Sequence, residues 1–172
     1  MDHFPVVAIQ DALKVPDLEI RISSHWNEKG RAQLQEHFIQ HALPDWQTGH
    51  LSLSHTKDLG GYLCSHSAFV GFDIETIARV REDLVLRVSN YQELQEAPSP
   101  AALWCAKEAV FKALLKLQQP KVLSSIQITG WKTDSQFETF TLGNPESFGV
   151  QFSRGLIFEL APHSFSFFVC RP

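Results

Sequence analysis

The chain is poor in the features that mark secreted, membrane-spanning and nucleic-acid-coating proteins. It has three cysteines, Cys64, Cys105 and Cys170, an odd number at wide spacing. That argues against a disulfide framework and for a reducing, cytoplasmic setting. No two of them have zinc-ligand spacing. No apolar run is long enough to cross a bilayer, so no membrane association is expected. The start, Met1-Asp2-His3-Phe4-Pro5, lacks the basic and apolar regions of a signal peptide. Cations are the minority, 15 Lys and Arg against 19 Asp and Glu, and the net charge of -4 excludes broad nucleic-acid binding. No low-complexity linker and no fixed-period repeat is present. A chain of 172 residues then makes one globular domain or two small fused halves.

Apolar periodicity supplies a coarse order. Val6, Val7 and Ile9 suggest a short strand. Leu18, Ile20 and Ile22 alternate with Glu19, Arg21 and Ser23, the pattern of a half-buried strand. Asn27 can cap a helix that ends before Pro44, with Leu34, Phe38 and Ala42 as its seam and Arg31 on the same line. Arg31 reads either as a solvated arginine or as one held to meet a phosphate. His37 and His41 are four apart, but Phe38 stands where the zinc-protease pattern needs Glu, so both read as surface histidines. Strands are expected over about 50–55, 61–66 and 68–75, with a turn at Lys57–Gly61. A short helix fits 89–96. Further strands are expected at 122–130, 136–142, 148–153, 155–161 and 164–170, with turns at Gly143-Asn144-Pro145 and Arg154-Gly155. This order predicts an α+β fold of two units laid side by side.

Two stretches carry chemistry. In Phe69-Val70-Gly71-Phe72-Asp73-Ile74-Glu75, strand alternation puts Gly71, Asp73 and Glu75 on one face. Two like charges there repel, and acidic residues are poor strand formers. Either the face is solvated or a divalent cation relieves the conflict, magnesium being the usual guest of such a pair. The second stretch is a helix. Ser99 is its N-cap, Pro100 its first residue, and helix formers run to Leu117 before Pro120 closes it. Leu103, Trp104, Val110, Phe111, Leu114, Leu115 and Leu117 form a broad apolar arc. Lys107 lies near its middle, Glu108 at its edge and Lys112 one turn beyond. Glu108 and Lys112 have the spacing of an ordinary helix ion pair, and Lys107 can snorkel to solvent. Equally, a rim carboxylate with a lysine one turn on suits a metal and a phosphate. His55, at the end of the alternating Leu51-Ser52-Leu53-Ser54 strand, is a structural hydrogen-bonder or a ligand according to its neighbours.

The acidic strand followed by Trp104-Cys105-Ala106-Lys107-Glu108-Ala109-Val110-Phe111-Lys112 resembles the paired signature of the 4′-phosphopantetheinyl transferases. That signature is a Gly-x-Asp-x-Glu strand and an aromatic-x-x-Lys-Glu-x-x-x-Lys helix. Ser52-Leu53-Ser54-His55 is similar to the Ser-His segment of the family's surfactin-type branch, and Arg31 stands where that branch tends to have an arginine. The resemblance covers roughly residues 25–117. It implies two similar α+β halves with pseudo-two-fold symmetry, here 1–75 and 76–172, in a monomer. It implies transfer of the phosphopantetheine arm of coenzyme A to a serine of an apo acyl or peptidyl carrier protein, releasing adenosine 3′,5′-bisphosphate. It implies Mg²⁺, or Mn²⁺, on Asp73, Glu75 and Glu108, with Glu108 as general base and Lys112 on the transferred phosphate. Arg31, Ser54, His55 and Lys107 would bind coenzyme A. Arg79, Arg81 and Arg87 would form a basic docking surface for an acidic carrier, or else are solvated charges balanced by Glu82 and Asp83. The branch's Gly-Lys-Pro segment is missing from Pro44–His50, a departure bearing on coenzyme affinity. An inactive coenzyme A-binding descendant is the alternative function.

Overall fold

The strand that most needs cover is β8 (His163–Arg171), apolar on both faces. Phe165, Phe167 and Val169 point one way, and Phe168 and Cys170 the other. The computed structural model, which describes residues 4–24, 32, 36, 49–134 and 136–172, covers each face with a different layer. β8 lies second in a five-stranded antiparallel sheet of order β4-β8-β7-β6-β5. Its neighbours are β4 (Phe69–Thr76) and β7 (Phe152–Leu160), followed by β6 (Phe137–Leu142) and β5 (Ile128–Asp134). One face carries the long helix α4 (Pro100–Ala113). The other meets α1 (Val6–Leu13) and a three-stranded antiparallel sheet of order β1-β3-β2. These strands are β1 (Glu19–Ser23), β2 (His50–His55) and β3 (Gly60–Ser65). Two short helices, α2 (Glu82–Val85) and α3 (Tyr91–Glu96), lead from β4 to α4. Among the described residues the fold is thus mixed α+β with two sheets. The helix expected between Asn27 and Pro44, with Arg31, His37 and His41, lies outside the described residues except at Ala32 and Glu36.

Three expectations are corrected. The short strand at Val6–Ile9 is instead helix α1. Ile9 and Leu13, four apart, are fully buried, while Val7 is 68% exposed, which is the period of a helix. The chain leaves α1 through Lys14 in the left-handed region at φ 56. The strands expected at 148–153 and 155–161 are one strand, β7, which starts only at Phe152 after a 3₁₀ turn at Pro145–Phe148, and Arg154-Gly155 is not a turn. A Cβ at Gly155 would fall within 3 Å of the Phe140 ring on the neighbouring strand, so the glycine is there to seat the aromatic. The first strand of the C-terminal group also begins later than expected, after a 3₁₀ turn at Leu123–Ser125. The three cysteines are free and buried. No helix among the described residues is long and apolar enough to cross a membrane.

Helix α4 is positioned closely and firmly. The Ser99 hydroxyl accepts from the Ala102 N–H at 3.0 Å and donates to Glu159 at 3.0 Å. Ala101, Ala102, Ala106, Ala109 and Ala113 are buried, and such small side chains let the helix backbone lie near the sheet. The closest approach is at Gly71 of β4, where a Cβ would overlap the Ala109 carbonyl. Gly71→Ala is therefore expected to force helix from sheet and cost about 3 kcal/mol or more. A urea unfolding midpoint close to that of the parent would contradict it.

Candidate active site

The acidic face of β4 does not look into solvent. Asp73 is 4% exposed and lies under α4, as the close approach at Gly71 requires. Lys112, in the last turn of α4, reaches down to it. Its Nζ is 2.7 Å from Asp73 Oδ1 and donates to the Phe72 carbonyl at 3.0 Å. Asp73 Oδ1 accepts a second bond, from the Ser54 hydroxyl at 2.9 Å. That hydroxyl in turn accepts from the Ile74 N–H at 3.1 Å. Asp73 Oδ2 is buried and has no hydrogen-bond partner among the described residues. Trp104 donates its indole N–H to Glu75 Oε1 at 3.1 Å. Glu108 stands on the rim, and the i,i+4 ion pair open to it does not form; Lys112 pairs with Asp73 instead.

These groups line a cleft between β2, β4 and α4. One cavity of about 280 Å³ is walled by Ser54, His55, Asp73, Glu75, Glu108 and Lys112, with Leu53 and Ile74. It shares Leu53, Glu108 and Lys112 with a second of about 490 Å³, bounded also by Leu51, Ser52, Phe111, Leu115 and Gln119. The cleft therefore has a charged end and a more apolar end, with Glu108 and Lys112 between them.

Its electrostatics are those of crowded acids. Three carboxylates face one ammonium. Burial, with Asp73 next, pushes Glu75 up to about 7; the Trp104 hydrogen bond opposes this, Glu108 adds a smaller push and Lys112 a smaller pull. Burial and then Asp73 also raise Glu108, while Lys112 pulls it down. No ready cluster of three metal-ligating side chains forms among the described residues. The donors nonetheless suit a hard divalent cation, since Asp73 Oδ2 is unpartnered and two of the acids are disfavoured as anions.

A pH dependence follows. The ordinary glutamate value is 4.5, and folded Glu75 keeps its proton to about pH 7. Between those values the folded protein binds more protons than the unfolded chain. Stability of the metal-free protein therefore falls as pH rises from about 4.5 through about 7, and stays lower above it. Allowing for partial solvent access, the fall is on the order of 1–2 kcal/mol. Glu75→Gln should flatten it, and an unchanged pH profile of thermal unfolding in that variant would refute the assignment.

The structure does not bring Lys107 into the cleft. Its side chain is wholly buried, with Nζ 2.9 Å from Glu93 Oε1 and donating also to the Ile126 carbonyl. Burial lowers its pKa, and Glu93 holds it up. The anion that a core lysine demands is supplied by the protein itself. Glu93 is equally committed. It accepts from the Ile128 and Asn90 N–H groups at 3.0 and 3.2 Å, closing a capping box at the start of α3. The Asn90-x-x-Glu93 spacing is a capping-box pattern, the signal by which the sequence could have singled out Glu93. Ser54 has both hydrogen-bonding roles filled within the protein, whereas His55 is exposed at the mouth of the cleft. Arg31 lies outside the described residues. Arg79, Arg81 and Arg87 are exposed on the segment after β4, where Arg81 pairs with Asp83 at 3.0 Å.

A cleft that sets carboxylates against a lysine, under a helix and beside a strand edge, is equipped to hold a cation and a phosphate together. The family comparison agrees. The profile of ACPS, the 4′-phosphopantetheinyl transferase superfamily, matches residues 69–161, more than half of the chain and all of β4 through α4. The chain belongs to that superfamily, and a phosphopantetheine transferase function in general follows, with a carrier protein and coenzyme A as the partners the family implies. No curated protein matches the chain.

Proposed function

We propose that the protein is a Mg²⁺-dependent holo-acyl-carrier-protein synthase. It would move the 4′-phosphopantetheine arm of coenzyme A to a serine of an apo acyl or peptidyl carrier protein. The observation that carries this reading is the meeting of the two signature halves. Asp73 and Glu75 of β4 line the same cavity as Glu108 and Lys112 of α4. Asp73, Glu75 and Glu108 would hold the divalent cation, which when bound supplies charge neutralisation at the pyrophosphate. Glu108 takes the serine proton, directly or through a water. Lys112 exchanges part of its contact with Asp73 for the transferred phosphate and stabilises charge there. His55, with Arg31, meets the 3′-phosphate end of coenzyme A, while Ser54 acts through Asp73 rather than on the nucleotide. Lys107 has no part in the cleft. The pantetheine arm and carrier approach from the apolar end, and Arg79, Arg81 and Arg87 offer the acidic carrier a basic surface. The surfactin-type arrangement, halves at 1–75 and 76–172 in a cytoplasmic monomer, belongs to the same reading.

Intact-mass spectrometry tests it. An apo acyl carrier protein incubated with this protein, coenzyme A and Mg²⁺ should gain one phosphopantetheine group, about 340 Da from its covalent composition. A chelator should prevent the gain. No gain across carriers of several pathways, with coenzyme A still bound, would identify an inactive coenzyme A-binding protein instead.

A further inference from the structure

Behind the carboxylates of β4 lies an unexpected patch of polarity. Register pairs Asp73 with Ser166 of β8 and Glu75 with Ser164. Directly paired residues in an antiparallel ladder point to the same side, with Cβ atoms about 4.5–5.5 Å apart. Both serines therefore sit on the α4 side, next to the two acids. Each is fully buried, and neither hydroxyl has a hydrogen-bond partner among the described residues. The same is true of Asp73 Oδ2. Three orphaned polar oxygens thus stand side by side on two adjacent strands. Further along β8, the same face carries Phe168 and Cys170, so its polar character is confined to the stretch opposite the acids.

For folding alone these serines are poor choices. A buried hydroxyl that makes no bond is worse than a methyl group. We propose that Ser166, assisted by Ser164, is a positioning residue for Asp73. In the structure the two atoms are not bonded; when a cation is bound, the Ser166 hydroxyl donates to Asp73 Oδ2 and fixes the carboxylate from behind. This rests on the transferase reading, in which Lys112 turns partly from Asp73 toward a phosphate. Asp73 Oδ1 then keeps only the Ser54 hydroxyl, and a donor on the other oxygen maintains its orientation toward a cation. Outer-shell donors of this kind commonly change metal affinity by about ten- to a hundredfold.

The test is Mn²⁺ binding to the full chain by electron paramagnetic resonance, with thermal unfolding of the metal-free protein measured beside it. Ser166→Ala should weaken Mn²⁺ about tenfold or more without lowering the melting temperature, because it removes an unsatisfied group. Ser166→Thr, which keeps the hydroxyl, should restore most of the affinity. Wild-type affinity in Ser166→Ala overturns the inference and leaves the transferase reading standing. A melting temperature that drops together with affinity assigns the serine a structural role and overturns it too. Absence of Mn²⁺ binding in the wild type removes the cation from the proposed mechanism and this inference with it.

Discussion

Asp73→Ala and Glu108→Ala are each expected to reduce phosphopantetheine transfer by about 10³-fold or more, the scale on which buried electrostatic and acid-base contributions act. The folded protein should survive both changes. Removing Asp73 relieves the main electrostatic pressure on Glu75, leaves Lys112 partly exposed and able to reach water, and costs the Ser54 hydroxyl one acceptor. Removing Glu108 takes away a rim acid whose ionised form is disfavoured by burial. Transfer measured by mass spectrometry, with circular dichroism and melting temperature as controls, gives the comparison. Activity near the wild-type level in either variant would take that residue out of the mechanism. The two should differ in one respect. Asp73→Ala also frees Lys112 from its partner, so the variant should bind coenzyme A without Mg²⁺ at least as well as the parent.

Lys107→Met should do the opposite, unfolding the protein while sparing its chemistry. The substitution keeps the volume but leaves the buried Glu93 carboxylate without its ammonium. Breaking one side of a buried pair costs about 3–5 kcal/mol, a large part of a domain's stability. The Ile128 and Asn90 N–H groups still solvate Glu93 and set the lower end of that range. A urea melt reads the loss, and transfer per folded molecule at low temperature should stay near the parent's. If Lys107→Met were as stable as the parent but inactive, the lysine would belong to the cleft after all. Glu93→Gln added to Lys107→Met should recover part of the stability, because the stranded charge is gone.

The sequence made the site more legible than the frame around it. Asp73 and Glu75 share a face because strand alternation is a rigid rule, and that rule needs no knowledge of neighbours. Helix α4 was readable from Ser99, Pro100 and the apolar arc, since caps and composition are local. What sequence could not tell was which partner each charge meets. Lys107 and Lys112 both sit on α4, five residues apart. One faces Glu93 in the interior and the other Asp73 in the cleft, a difference set by rotation of the helix over the sheet. Val6, Val7 and Ile9 suggest a strand because β-branched residues favour one locally, while packing against the larger sheet and β1 favours the helical spacing of Ile9 and Leu13. Gly155 was misread because a glycine beside an arginine looks like a turn until Phe140 is seen lying against it.

The serines of β2 have one more consequence. Among the described residues, β4 is the outermost strand of its sheet, bonded to β8 on one side only. Its other edge would expose a row of unpaired amides and carbonyls, a template for stray chains to add to. Here the Ser52 and Ser54 hydroxyls accept from the Phe72 and Ile74 N–H groups at 2.9 and 3.1 Å, and Lys112 covers the Phe72 carbonyl. Side chains thus take the place of a neighbouring strand. The stretch that the proposed reaction keeps open to a bulky substrate is thereby closed to edge-to-edge aggregation, and the lysine proposed for the phosphate is also one of its guards.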